Sequence, residues 1–106
     1  MTEFSAVLAT LPSIAHIARL DLQDSDGHWA GSIENRPGSA GSVAVYYAVT
    51  RPDGRLDRAA AEQALSLYAE HTADARANPG KHPNIDRLLR LLADDGHCNV
   101  VVVTRP

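Results

Sequence analysis

The sequence predicts an α+β fold: an N-terminal helix, a β-hairpin, three further helices, and a C-terminal strand that joins the hairpin in a small mixed sheet. Three observations lead there. Apolar and polar residues alternate on either side of an Asp-Gly turn near residue 27. Apolar residues then recur at helical spacing through the middle of the chain. The chain closes on a β-branched run, "CNVVVVT". The sheet has three strands, or four if residues 43–50 are a strand.

Phe4, Val7, Leu8 and Leu11 fall at i, i+3, i+4 and i+7, the buried stripe of a short helix. Thr2 can cap it, Glu3 suits its first turn, and Pro12 stops it. Ala18, Leu20 and Leu22 then alternate with Arg19, Asp21 and Gln23 as a half-buried strand. Asp24, Ser25, Asp26 and Gly27 turn the chain. Trp29, Gly31 and Ile33 alternate on the return strand.

Residues 42–50 fit two templates. Val43, Val45, Tyr47 and Val49 alternate as in a strand, which periodicity slightly favours. The same residues make a short, all-round apolar helix capped by Ser42. Arg51, Pro52, Asp53 and Gly54 form a turn, and Asp57 caps a helix expected to run to about residue 78. Its stripe is Ala61, Ala64, Leu65, Tyr68, Thr72 and Ala75. At ~1.5 Å per residue it would be about 30 Å long.

Asn78, Pro79 and Gly80 end that helix, since a residue before proline is pushed out of the α region. Asn84 can cap the next helix, with Ile85, Leu88, Leu89 and Leu92 as its stripe and Gly96 at its C′ position. The valines of the closing run lack polar alternation, which suggests an inner strand covered on both faces.

Composition narrows the function classes. A 106-residue chain is expected to be one domain, residues 1–106, with a modest core. Thirteen acids against ten Lys and Arg, a net charge of -3, leave no basic stripe for nucleic acid or a membrane surface. The single cysteine, Cys98, excludes an intramolecular disulfide. No apolar run approaches the ~20 residues of a membrane span, and the first residues lack the pattern of a signal peptide. A cytoplasmic setting is the expectation.

Three stretches, "LATLPSIAHIARLDL", "ENRPGSAGSVAVYYA" and above all "YAEHTADARANPGKHPNIDRLL", resemble a family of small bacterial proteins classed only as a domain of unknown function. The resemblance covers essentially the whole chain. It implies a cytosolic single-domain protein and favours a helix over residues 42–50, although this chain is unusually rich in Val and Tyr there. It brings no assigned activity, so it transfers no catalytic residue.

Two glycine-bearing loops attract attention. "ENRPGSAGS", residues 34–42, could cradle a phosphate on backbone N–H groups before a helix, with Arg36, Ser39 and Ser42 in support. Gly41 is followed by Ser and Val, so the Walker pattern fails. Gly38 and Gly41 give only G-x-x-G, so the dinucleotide fingerprint fails as well. The favoured reading is a Pro-Gly turn followed by a serine cap. "NPGKHPNIDR", residues 78–87, is most simply a rigid helix-helix joint, and it also projects Lys81, His82 and Arg87 as a cationic corner.

A metal site would draw on His71, Asp74, His82, His97 and Cys98, with zinc the natural ion for such ligands. No H-x-x-x-H, H-E-x-x-H or C-x-x-C spacing supports it, and no motif requires a cofactor. "DSDG" misses the calcium-loop ligand positions. His97 and Cys98 are adjacent on a strand and so face opposite ways.

Two functions remain. The first is a non-enzymatic module for a small anionic ligand or a protein partner, using Arg36, Ser39, Ser42, Lys81, His82 and Arg87. The second is a metal-dependent or Cys-His enzyme built on His71, His82, His97 and Cys98. The small sheet leaves a face or edge needing cover, which a homodimer would supply. The question that decides is whether the two glycine-bearing loops meet in space.

Overall fold

The computed structural model describes residues 3–106, so the cap expected of Thr2 lies outside the described residues. In chain order the elements are α1 (Phe4–Leu8), β1 (Ile17–Gln23), β2 (Trp29–Glu34), α2 (Ala40–Thr50), β3 (Arg55–Leu56), α3 (Arg58–Leu67), α4 (Glu70–Ala77), α5 (Pro83–Ala93) and β4 (Cys98–Thr104). The strands form one sheet in the order β2-β1-β4-β3. The hairpin and the C-terminal strand pair as expected. Every pairing is antiparallel, where a mixed sheet was expected, because the chain comes back through α3, α4 and α5 to enter β4 running opposite to both β1 and β3.

Residues 42–50 are helical, and the fourth strand comes instead from Arg55 and Leu56. The alternating valines do not compete, because α2 is buried nearly all round. Val43, Val45 and Tyr46 are fully buried between the sheet and α3. The helix also begins before the expected Ser42 cap. Ser39 holds the N-cap position, but its hydroxyl donates to the carbonyl of Glu34 instead of capping.

Where one long helix was expected over residues 57–78, two are present. The expected cap holds: the Asp57 carboxylate accepts the Ala60 N–H at 3.0 Å. The interruption is at Ala69, whose φ of 54° and ψ of -122° no helix contains. A carbonyl freed by the break is recovered locally, since the Thr72 hydroxyl donates to Leu65 O. The apolar stripe remains in phase across the break, with Ala61, Ala64, Leu65, Tyr68, Thr72 and Ala75 all buried. Helical periodicity therefore gave no sign of it.

Helix α5 starts two residues earlier than an Asn84 cap allows. Pro83 takes the first helical turn after His82, where its missing N–H costs nothing. At the other end Asp95, not Gly96, adopts the left-handed conformation, with φ 51°. Gly96 N–H then bonds Leu91 O at 2.9 Å and Asp95 N–H bonds Leu92 O at 3.3 Å, a Schellman closure.

Leu20, Leu22, Ile33, Leu56 and Val100 supply the sheet's contribution to the core, which α2, α3 and α5 complete. The opposite sheet face carries Arg19, Asp21, Ser32 and Val101. The expectation that β4 is covered on both faces is overturned. Val101 is 42% exposed because it lies on the face opposite the core, with Arg19 and Asp21, and Val102 is 37% exposed beyond the stretch that β3 pairs. Among the described residues no helix is long and apolar enough to cross a membrane.

Candidate functional site

The two glycine-bearing loops do face each other. A cavity of about 390 Å³ is lined by Gly38, Gly41 and Ser42 on one side and by Lys81, His82 and Asn84 on the other. Phe4, Tyr68 and His71 form its remaining wall. Helices α2 and α5 both begin beside it, each with its positive N-terminal end towards the same space.

The break at Ala69 builds that wall. It ends α3 with Tyr68, whose hydroxyl donates to Ser42 Oγ at 2.6 Å. It restarts the chain at Glu70, whose carboxylate accepts the Phe4 N–H at 2.7 Å and so ties α1 down. That hydrogen bond and the bond from its own N–H hold the Glu70 carboxyl below its usual range. Phe4 then stacks on Tyr68 with ring centroids 5.5 Å apart and meets His71 edge-on at 5.0 Å. Burial pushes the Tyr68 phenol well above the ordinary tyrosine value, so it is a neutral donor at any ordinary pH.

Gly41 has a specific reason to be glycine. A Cβ placed there would lie 3.0 Å from Phe4 Cε2, so its absence lets the Phe4 ring rest on the start of α2.

The polar corner is organised by Asp74. Its Oδ2 lies 2.7 Å from His82 Nε2 and 2.9 Å from Lys81 Nζ, while Asn78 Nδ2 donates to Oδ1 at 2.9 Å. The hydrogen bonds from His82 and then Lys81 hold the Asp74 carboxyl down to about 2. An ionised carboxylate only accepts, so His82 Nε2 is the donor in this contact. Among the described residues Nδ1 makes no hydrogen bond. The His71 ring lies 5.4 Å from that of His82.

Not every residue expected at a site is here. Of the anion-binding set, Ser42, Lys81 and His82 line the cavity. Ser39 lies at the α2 N-cap with its hydroxyl spent on Glu34, and Arg36 is exposed beside Glu34 at 3.6 Å. Arg87 sits elsewhere, donating to Asn84 Oδ1 at 2.8 Å and Tyr46 OH at 3.2 Å. Burial pushes the Tyr46 phenol up to about 12 despite that cation.

The metal set is divided between two places. His71 and His82 line the cavity, with Asp74 bonded to His82, whereas His97 and Cys98 line a separate depression with Arg87 and Arg90. Burial also pushes the Cys98 thiol up, the opposite of an activated nucleophile. Among the described residues, the group of metal-ligand side chains that does converge is Asp24, Asp26 and His28. There the Asp24 carboxylate already accepts the N–H groups of Asp26 and His28, so the cluster is the chemistry of the hairpin turn.

Sequence reasoning missed Phe4 and Tyr68 as cavity residues, because both stand in apolar stripes. The available signal was the phenol of Tyr68, a polar tip on a buried stripe that must find a partner.

No curated protein and no solved structure matches this chain. A family described as uncharacterized protein conserved in bacteria matches residues 4–102, including both glycine-bearing loops and the wall between them. With nearly its whole length matched, the chain belongs to this family, DUF2322.

Proposed function

We propose that this chain is a small binding module whose ligand is a small anion, a carboxylate or a phosphate ester, held between the start of α2 and the α4–α5 joint. One observation carries the reading: loops 43 residues apart at Gly38 and Lys81 line the same cavity, and two helix N-termini open beside it. Helix N-termini favour negative charge through their unpaired N–H groups and their dipole. At about 390 Å³ the space suits a small molecule.

The side chains extend the same preference. Asp74 pairs with Lys81 and holds His82 by a hydrogen bond, and the His71 ring lies beside that of His82, so nitrogen-bearing side chains gather on this wall. Lys81 is mostly exposed and has donors left after its contact with Asp74. Ser42 Oγ accepts from Tyr68 and keeps its own hydrogen to donate. The ligand set is therefore Ser42, Lys81 and His82, with His71 added and with Arg36 and Arg87 set aside.

Thermal denaturation in the presence of inorganic phosphate, simple nucleotides and small mono- and dicarboxylates tests the reading. A true ligand raises the midpoint in a saturable way, by about 2.7 kcal/mol of stability at a hundredfold excess over Kd. Lys81→Ala should abolish that rise, and Arg36→Ala should leave it. A panel without a stabiliser, or a stabiliser indifferent to Lys81→Ala, overturns the proposal.

A further inference from the structure

The sheet has two edges, and they are built differently. Strand β2 is irregular, with a slip of register between Leu22 and Gln23, and it carries Glu34 at its end. Those are devices that discourage further pairing. Strand β4 has none of them beyond the short stretch covered by β3. It carries no charge or proline from residue 99 to residue 104, the slip in its ladder with β1 places the extra residue on β1 between Ile17 and Arg19, and three of its residues are consecutive exposed or half-exposed valines.

The direction of its backbone groups follows from two hydrogen bonds. Val100 N–H points to the β3 side, where it bonds Gly54 O at 2.7 Å. Arg105 N–H points to the β1 side, where it bonds His16 O at 2.9 Å. Groups alternate along a strand, so Val102 and Thr104 turn both N–H and C=O towards the open edge. Among the described residues these groups have no hydrogen-bond partner. Unpaired backbone along an uncharged β-branched run is a template for another strand.

We propose that this edge pairs with the same edge of a second copy of the chain, antiparallel about a two-fold axis at Val103. The register is decided by what is already occupied. An axis at Val102 would set Thr104 against Val100, whose outward N–H Gly54 has taken and beside whose carbonyl Gly54 is packed. An axis at Thr104 would set Val102 against Pro106, which has no N–H. An axis at Val103 sets Val102 against the partner's Thr104, and Thr104 against the partner's Val102. Each of those pairs exchanges both hydrogen bonds, and the outward groups of both copies are satisfied.

Charge selects a second copy over an unrelated strand. In this register Arg105 arrives opposite the partner's Val101, next to the turn that holds Asp53. Among the described residues Asp53 has no cation within ion-pair distance, and Arg105 has no carboxylate. Arg105 meanwhile makes only a 3.3 Å contact with Asn35 O, which it can exchange. The two-fold axis forms the Arg105–Asp53 pair twice.

Sedimentation velocity across a micromolar range should show reversible association from 11.4 kDa to twice that mass. Val103 would face its own symmetry mate in a non-hydrogen-bonded pair, with Cβ atoms about 4.5–5.5 Å apart. Val103→Cys should therefore give a disulfide-linked dimer under mild oxidation, and Val101→Cys, displaced from the axis, should not. Thr104→Pro removes an outward N–H from an edge that tolerates proline, so it should be monomeric with an unchanged far-UV spectrum. A wild-type chain that stays monomeric throughout overturns the proposal. So does equal cross-linking by Val101→Cys, or a Thr104→Pro chain that still dimerises.

Discussion

His82 Nε2 and Asp74 Oδ2 lie 2.7 Å apart, and Lys81 Nζ reaches the same oxygen at 2.9 Å. Asp74 is on α4 and the other two belong to the joint that follows, so this contact locks the joint against the helix before it.

That contact makes stability depend on acid in a defined window. The Asp74 carboxyl titrates at about 2 in the folded chain against an ordinary value of 3.8. A depressed folded pKa contributes stability that is present above the ordinary value and is lost as pH falls through the folded one. Denaturant midpoints should therefore fall more steeply between about pH 4 and pH 2 for the wild type than for Asp74→Asn. Equal slopes for the two chains would show that the contact contributes nothing in solution.

The Tyr68–Ser42 hydrogen bond should respond unequally to loss of either partner. Tyr68→Phe removes the donor and leaves a half-buried serine that cavity water can serve, at a cost of about 1 kcal/mol. Ser42→Ala leaves a buried phenol without its acceptor, which costs about 1–3 kcal/mol. In a domain of this size each kcal/mol lowers Tm by about 4–8 °C. A smaller drop for Ser42→Ala than for Tyr68→Phe would contradict this account.

Ala69 carries its strain for the sake of what flanks it. A non-glycine residue in such a conformation costs about 1–3 kcal/mol. Ala69→Gly should raise stability by about 1 kcal/mol net of glycine's greater freedom when unfolded. The Tyr68 and Glu70 contacts are kept in that variant, so ligand-induced stabilisation should persist. A destabilised Ala69→Gly chain would mean that the turn is not strained.

Gly54 is the reverse case. A Cβ there would lie 2.4 Å from Val100 O, and its φ is +76°. Gly54→Ala should cost on the order of 2–4 kcal/mol, combining the unfavourable backbone with displacement of β3 from β4. Equilibrium denaturation measures it, and a loss below about 0.5 kcal/mol, the range of an ordinary surface substitution, would refute the close approach.

Local chemistry was legible in the sequence wherever it is decided locally. The hairpin around Gly27, the Asp57 cap, the stripes of α3 and α5 and the stop at Pro79 all rest on neighbours within a few residues. The joint itself was visible as a proline-glycine turn, and of the Lys81, His82 and Arg87 it was expected to project, the first two line the cavity while Arg87 turns to Asn84 and Tyr46. The departures have tertiary causes. Residues 42–50 are helical because α2 is wrapped by the sheet and α3, and a segment covered nearly all round lacks the one-sided apolar stripe that marks a helix. The break at Ala69 lies in an unbroken stripe and is held by Thr72, Glu70 and Phe4. Phe4, sixty-four residues from Tyr68, cannot be known as its stacking partner from spacing.

Taken alone, the sequence determined which segments have helical or extended character, where most of them end, and which two loops are rich in glycine and charge. Only the tertiary structure decided that those loops share a cavity, that Arg36 and Arg87 stand outside it, that His97 and Cys98 lie apart from His71, and that β4 keeps an open edge. Caps, turns and stripes are set by the chain within a turn or two of each residue. Distances between loops are set by how every element packs, and the break at Ala69 redirects the chain between them.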